Sequence, residues 1–165
     1  HIAQLHLDPA LAPENMSGEE RFVFGLHPHG VMSEYRLLLD GVIRKSFPKL
    51  RSWRALAASI LFKVPLLREI SLWSHCIDAG RASAQRALEN GHSVFVVPGG
   101  EHEQVMGSFG KELLYIKARM GFVKLALRND IPLVPVYVFG SSDIFWTSNL
   151  LQGLRLGFVR RLRCV

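Results

Sequence analysis

Three runs of consecutive apolar residues, separated by helical patterns, constrain the fold of this chain more than any other feature. They occupy residues 21–26 (RFVFGL), 93–97 (SVFVV) and 133–139 (LVPVYVF). Half-exposed strands alternate apolar and polar side chains, whereas strands buried on both faces of a parallel sheet are apolar throughout. The sequence therefore predicts an α/β fold, in which a mostly parallel sheet is flanked by helices.

Helices are predicted between these strands from their start and stop signals. The first follows Ser33, which is a plausible cap, and ends before Pro48. The second covers about residues 78–90 and is closed by a glycine. The third covers residues 120–129 and leads into the last strand.

The longest apolar stretch is residues 55–67 (ALAASILFKVPLL), which Lys63 and Pro65 interrupt. It is much shorter than the roughly 20 residues that a bilayer-spanning helix needs. It fits either a core helix or a helix lying in a membrane interface. We favour the interface, because Trp53 and Arg54 stand at one end, where side chains that anchor among lipid head groups are common.

Length and charge limit the possible functions without selecting one. At 165 residues the chain is long enough for one domain and too short for a barrel of eight strand and helix pairs. Its net charge of +6 favours anionic partners, which include nucleic acid, lipid head groups and phosphorylated cofactors. Four arginines near the end fit a solvated basic face, with a membrane contact as the alternative: Arg155, Arg160, Arg161 and Arg163.

A pair of histidines follows the first strand directly, in the sequence His27-Pro28-His29-Gly30. Open α/β sheets place their chemistry just beyond the carboxyl ends of strands. Glu34 lies five residues after His29, so one helical turn could bring its carboxylate to the imidazole and orient a general base. The alternative for Glu34 is a carboxylate that only stabilises the helix start.

A second polar loop follows the second apolar strand, at residues 98–103 (PGGEHE). The Pro98-Gly99-Gly100 turn exposes backbone N–H groups that can bind phosphate oxygens or a developing oxyanion. One of the carboxylates that follow, Glu101 or Glu103, could pair with the histidine loop or contact an acceptor. The two loops are therefore candidate walls of one site.

Two other classes of function compete with an acyl-transfer enzyme. A histidine pair after a strand also begins the metal site of some hydrolases, but the remaining candidate ligands lack ligand-like spacing: His75, His92, His102 and Asp143. A non-enzymatic lipid-binding domain would explain the basic and apolar composition, but not the two polar loops. A serine hydrolase is disfavoured, because no Gly-x-Ser-x-Gly motif occurs.

Several segments together resemble the type-two diacylglycerol acyltransferase family, which includes monoacylglycerol and wax-alcohol acyltransferases. They occur in the family's order over roughly residues 21–145: 22–30 (FVFGLHPHG), 67–69 (LRE), 78–81 (DAGR), 97–103 (VPGGEHE) and 121–140 (GFVKLALRNDIPLVPVYVFG). The resemblance implies a fold similar to that of glycerol-phosphate acyltransferases. It also implies a membrane enzyme of the endoplasmic reticulum or lipid droplet that transfers an acyl group from acyl-coenzyme A to diacylglycerol.

The resemblance also implies roles for single residues. His29 is the expected catalytic base, which takes the proton of the acceptor hydroxyl, with His27 beside it and Glu103 as the acidic residue of the second loop. Glu34 replaces the aspartate that the glycerol-phosphate enzymes carry at that distance. The expected substrate-binding residues are the loop glycines and proline and two arginines: Gly30, Pro98, Gly99, Gly100, Arg81 and, as a weaker candidate, Arg68.

The expected partners are acyl-coenzyme A and a glycerolipid or fatty-alcohol acceptor. We expect no further cofactor, no metal and no nucleic acid, while a homo-oligomer is possible. We expect residues 1–165 to form one acyltransferase domain, with a polar leader at 1–20 and a motif-bearing core at 21–145. Because family members usually carry a hydrophobic hairpin before the histidine loop and more chain after the last strand, we expect truncation at both ends.

Overall fold

The computed structural model describes residues 6, 8–12, 15–16, 20–30, 33, 35–146, 153 and 157. Five strands form one sheet: β1 Val23–His27, β2 Trp53–Ala57, β3 Cys76–Asp78, β4 Ser93–Val96 and β5 Leu133–Tyr137. Five helices connect or flank them: α1 Tyr35–Ser46, α2 Leu67–Trp73, α3 Arg81–Glu89, α4 Gly100–Met106 and α5 Gly121–Arg128. Short 3₁₀ turns occupy Pro9–Leu11 and Ser59–Phe62.

The strand order is β3-β2-β4-β1-β5, and every pairing is parallel. This confirms the predicted α/β class and its parallel sheet. The strand β1 lies between β4 and β5, with Gly25 opposite Val96 on one side and Pro135 on the other. Because neighbouring parallel strands end at the same edge, the loops that follow β1 and β4 lie side by side.

The core has two layers, one on each face of the sheet. On one face Phe24 stacks on Phe95 of the neighbouring strand, with ring centroids 4.2 Å apart, and Phe47 from the end of α1 meets it edge-on. On the other face the fully buried Val23 and Val94 pack against α3 and α5. Successive residues of β1 thus serve opposite faces, which explains why the whole strand is apolar.

The prediction of a helix over residues 55–67 is wrong. Trp53, Ala55 and Ala57 are buried residues of β2, and the half-buried Arg54 and Leu56 alternate with them. Trp53 therefore packs in the core and does not anchor a helix at a membrane interface, as the sequence suggested. The 3₁₀ turn and an irregular segment follow β2. The strands β1 and β4 need neighbours for their backbone hydrogen bonds, and β2 pairs with β4. This tertiary requirement overrides the helical preference of an alanine-rich segment.

Two further elements were not predicted, the three-residue strand β3 and the short helix α2. A strand of three residues carries too little periodicity to be recognised in a sequence. The segment after Gly99 also differs from expectation, because it forms the helix α4 rather than an open loop. Among the described residues, no helix is both long enough and apolar enough to cross a bilayer.

Candidate active site

The histidine loop and the Pro98-Gly99-Gly100 turn meet at the carboxyl edge of the sheet, as the sequence predicts. The link between them is the side chain of Glu103 in α4, which is only 3% exposed. Its Oε2 accepts a hydrogen bond from the backbone N–H of His29 at 2.7 Å. Its Oε1 accepts one from the backbone N–H of Tyr115 at 2.6 Å. One carboxylate therefore joins α4, the histidine loop and the segment that precedes α5.

Glu103 thus pairs with the histidine loop, as the sequence suggested, but through the backbone of that loop. Glu103 binds the backbone of His29, so it fixes where the loop lies rather than the tautomer of the ring. A buried carboxylate without partners would cost several kcal/mol, and two charge-assisted bonds of about 1.5–3 kcal/mol each offset that cost. The same two hydrogen bonds therefore stabilise both the Glu103 side chain and the segments that donate to it.

Gly99 provides the space for this carboxyl group. A Cβ atom built on Gly99 would lie 1.7 Å from the Glu103 Cδ, so any other residue here would displace the side chain. The sequence suggests that the glycine pair supplies N–H donors, whereas at Gly99 the structure shows a steric reason for glycine. Pro98 and Gly100 line the adjoining cavity.

The imidazole of His29 is half-buried and faces the cavity. Its Nδ1 lies 3.1 Å from the Gly30 carbonyl oxygen, which favours the tautomer that carries its proton on Nδ1. In that tautomer Nε2 carries the lone pair, and the Ser33 hydroxyl lies 3.0 Å from it. The positive φ of Gly30, 63°, turns the carbonyl towards the ring.

Ser33 is a site residue that the sequence analysis assigned only to a helix cap. Its hydroxyl lies 3.1 Å from Nδ1 and 3.0 Å from Nε2 of His29, and it donates to the His29 carbonyl oxygen at 3.1 Å. The residue is 1% exposed. The hydroxyl thus lies within hydrogen-bond distance of both ring nitrogens and supports the position of the ring. Glu34, the other predicted partner of the imidazole, lies outside the described residues.

His27 lies behind His29 and is 8% exposed. Burial lowers the pKa of His27, and the nearby negative charge of Glu103 opposes this effect in part. Its ring meets the Phe122 ring of α5 edge-on, with centroids 6.2 Å apart. A Cβ on Gly25 would lie 3.0 Å from Phe122, so this glycine lets the helix close over the strand beside His27.

A cavity of about 780 Å³ opens in front of His29, between α2, α3 and α5. One wall is apolar and includes Ile60, Leu67 and Ile70. Another part carries the guanidinium groups of Arg81 and Arg119, and in the part of the chain that the structure describes neither forms an ion pair. Cavities of this size accommodate a drug-sized organic ligand.

The two arginines predicted to bind substrate are placed differently. Arg81 lines the cavity, at the start of α3. Arg68 lies outside it and pairs with Glu69 at 2.6 Å on the surface of α2. Arg119 was not singled out in the sequence, although it directly precedes the 121–140 segment. Its position follows from the packing of α5, which no local pattern reveals.

The candidate metal ligands of the rival hydrolase are scattered. His75 and His92 precede β3 and β4, at the amino edge of the sheet, and His92 contacts the Ser52 hydroxyl at 2.5 Å. His102 stacks on Tyr115 with ring centroids 4.0 Å apart. In the described ranges no three histidine, cysteine or carboxylate side chains are grouped as a metal site requires.

Comparison with known proteins gives one consistent result. The family model described as diacylglycerol acyltransferase matches residues 9–163. Over 77% of its length the chain is 36% identical to human 2-acylglycerol O-acyltransferase 3, and over 79% it is 31% identical to human diacylglycerol O-acyltransferase 2. It is 32% identical, over 87% of its length, to diacylglycerol O-acyltransferase 1 of Eremothecium gossypii.

The chain spans 39%, 35% and 31% of the length of these three relatives, respectively. No solved structure is similar to it. The family model covers nearly the whole chain, including both loops at the carboxyl edge of the sheet and the α5 to β5 segment. The chain therefore belongs to the diacylglycerol acyltransferase family.

Proposed function

We propose that the protein transfers a fatty acyl group from acyl-coenzyme A to the free hydroxyl of diacylglycerol, which produces triacylglycerol, with His29 as the general base. The observation that carries this proposal is the shared cavity. The His29 imidazole faces a space that has an apolar wall for acyl chains and two arginines, neither of which pairs with a carboxylate among the described residues. Family membership supports the same reaction class.

In the proposed reaction, neutral His29 takes the proton of the acceptor hydroxyl at Nε2 as that oxygen attacks the thioester carbonyl. The tetrahedral intermediate then collapses and the carbon–sulfur bond breaks. The imidazolium returns its proton to the leaving sulfur, so coenzyme A departs as a thiol. The Nδ1 contact with the Gly30 carbonyl stabilises the imidazolium between these steps.

The second loop would stabilise the oxyanion of that intermediate. Gly100 lines the cavity near His29, and its backbone N–H is the candidate donor. Glu103 is a positioning residue in this proposal, because it touches the backbone of His29 rather than the substrate. Its two backbone contacts keep the histidine loop and the glycine turn at a constant separation.

Acyl-coenzyme A is the co-substrate, and the proposal requires no further cofactor. Its phosphate groups would bind Arg81 and Arg119, whose charges are not neutralised by described carboxylates. The acyl chain would lie along the apolar wall. Arg68 has no part in this arrangement, because it points away from the cavity and pairs with Glu69.

The acceptor has a second candidate, a 2-acylglycerol, because human 2-acylglycerol O-acyltransferase 3 is one of the similar proteins. A fatty alcohol is a third candidate. An acceptor screen with labelled acyl-coenzyme A, in microsomes that contain the protein, distinguishes these acceptors. Turnover that chelation abolishes would favour the metal-dependent hydrolase, and lipid binding without ester formation would favour a non-enzymatic domain.

We further propose that the protein works at the endoplasmic reticulum membrane or the lipid droplet surface, and as a homo-oligomer.

Replacing His29 with alanine removes the proposed base. We expect kcat to fall by roughly 10²- to 10⁴-fold, since proton transfer by a positioned side chain contributes that much. The control is His92→Gln, which changes a histidine at the opposite edge of the sheet. Ester formation measured in microsomes provides the comparison, and near-normal turnover by the His29→Ala protein would defeat the assignment.

Replacing Glu103 with glutamine tests the positioning role. Only the amide oxygen of glutamine accepts hydrogen bonds, so one of the two backbone N–H groups loses its partner, and we expect a loss of about 1–3 kcal/mol in unfolding free energy. We also expect a lower kcat with little change in KM for acyl-coenzyme A. The control is Glu89→Gln on the exposed side of α3. Equal kcat in both variants would contradict the role.

The buried His27 predicts a dependence of stability on pH. Its pKa in the folded state is lowered from 6.5, so the unfolded chain binds the proton more readily. The contribution of neutral His27 to the free energy of unfolding is fully present above pH 6.5. It is lost as the pH falls towards the lowered pKa of the folded state. Between about pH 7.5 and pH 5, the free energy of unfolding measured with urea should decrease less for His27→Gln than for the original protein. An equal decrease in both proteins would refute this prediction, and exposed His6 is the control position.

Arg81→Gln and Arg119→Gln should each raise KM for acyl-coenzyme A about tenfold, because each removes a charge-assisted bond to phosphate. The control Arg86→Gln lies on α3 outside the cavity and should leave KM unchanged. Initial rates at varied acyl-coenzyme A, with the acceptor saturating, measure the effect. An unchanged KM in both cavity variants would exclude these arginines as the phosphate site.

A further inference from the structure

The segment from the 3₁₀ turn to the end of α2 exposes an unusual amount of apolar surface. Six of its side chains are between 40% and 76% exposed: Ile60, Leu66, Leu67, Ile70, Leu72 and Trp73. We call these residues the α2 surface. Soluble proteins rarely expose so many adjacent large apolar side chains unless another apolar phase covers them.

The α2 surface is continuous with the cavity. Ile60, Leu67 and Ile70 contribute both to the exposed surface and to the cavity wall that His29 faces. Leu66 and Trp73 belong to the outer part only, because they do not line the cavity. An apolar path therefore leads from the outside of the protein to the imidazole.

The backbone conformation at Leu66 is strained, and the Leu66 side chain lies on the surface. Its φ is 69° and its ψ is −51°, and the Leu67 N–H donates to the Pro65 carbonyl oxygen at 2.9 Å. This is a γ-turn of the form that is strained for residues other than glycine. The side chain at its centre is nevertheless a leucine that is 71% exposed, so the interior of the described fold does not explain the choice of residue.

The charges around this surface suit an anionic lipid layer. Among the side chains of α2, of its connection to the 3₁₀ turn and of the cavity wall, four are basic and two are acidic. The basic ones are Lys63, Arg68, Arg81 and Arg119, and the acidic ones are Glu69 and Glu101. Trp73 ends the helix, and tryptophan is enriched at the level of lipid head groups.

We propose that the α2 surface docks on an anionic bilayer and that the glycerolipid acceptor enters the cavity directly from the membrane between Leu67 and Ile70. The entry of the acceptor rests on the proposed function, whereas the docking does not. A membrane is favoured over a protein partner because the cavity behind the surface is apolar and open, so lipid can fill it without crossing water. A surface that docks at the membrane interface needs no bilayer-spanning segment.

Vesicle flotation tests the docking with two variants that should retain the fold. Leu66→Gly removes an exposed apolar side chain, and glycine adopts a positive φ without strain. Trp73→Gln removes the largest one. The control is Leu127→Gln on α5, because Leu127 is also 76% exposed and does not line the cavity. The probes are phosphatidylcholine vesicles with and without phosphatidylserine.

We expect the unmodified protein to bind the vesicles, more strongly when phosphatidylserine is present. Leu66→Gly and Trp73→Gln should each weaken binding roughly tenfold, in proportion to the apolar area withdrawn from lipid. Leu127→Gln should bind like the unmodified protein. Equal binding by all three variants, or no vesicle binding by the unmodified protein, would overturn the proposal. A dimer in the absence of vesicles that Trp73→Gln dissociates would also overturn it, because a second copy would then cover the surface.

A second measurement tests acceptor entry and separates the two proposals. With diacylglycerol in vesicles, the two α2 variants should lose most turnover, whereas with diacylglycerol in detergent micelles they should keep it. Equal loss in both formats would overturn entry through this surface. If no ester forms in either format with any protein, the proposed function fails, and the flotation result still decides the docking.

Discussion

The buried carboxylate of Glu103 is the contact on which the rest of the site depends. Two backbone N–H groups from distant parts of the chain, at His29 and Tyr115, donate to its two oxygens. The geometry is available only because Gly99 has no side chain in the space that the carboxyl group fills. Three segments that the sheet alone would leave independent are thereby tied together at one edge.

This contact explains how the site can be both rigid and open. The backbone of His29 is held by Glu103, while its ring is supported by the Gly30 carbonyl and the Ser33 hydroxyl. The ring faces the cavity. A cavity with one apolar wall lies in front of the ring. The helix α2 forms the outer wall of this cavity, between the protein interior and the exposed surface.

The location of the site was predictable from the sequence, because polar residues at the ends of two buried strands converge whenever those strands are neighbours. The roles within it were less predictable. Ser33 has the sequence signature of a helix cap and nothing else. Arg119 reaches the cavity through the packing of α5. Of the two predicted arginines, Arg81 lines the cavity and the weaker candidate Arg68 does not. Each of these differences depends on side-chain direction, which sequence spacing does not specify.

The sequence by itself determined the α/β class, the strands β1, β4 and β5, and the convergence of the histidine loop with the glycine turn, because strand patterns and turn chemistry are local properties of composition. The expectation that β5 is buried on both faces is wrong, because β5 is an edge strand in which Leu133, Pro135 and Tyr137 are exposed. Only the tertiary structure decided that residues 55–57 form a strand, since the hydrogen-bonding edge of β4 requires a partner. It also decided that Glu103 meets the backbone of His29 rather than its ring, and that an apolar surface continues into the cavity. These outcomes depend on contacts between residues far apart in the chain, which a local pattern cannot encode.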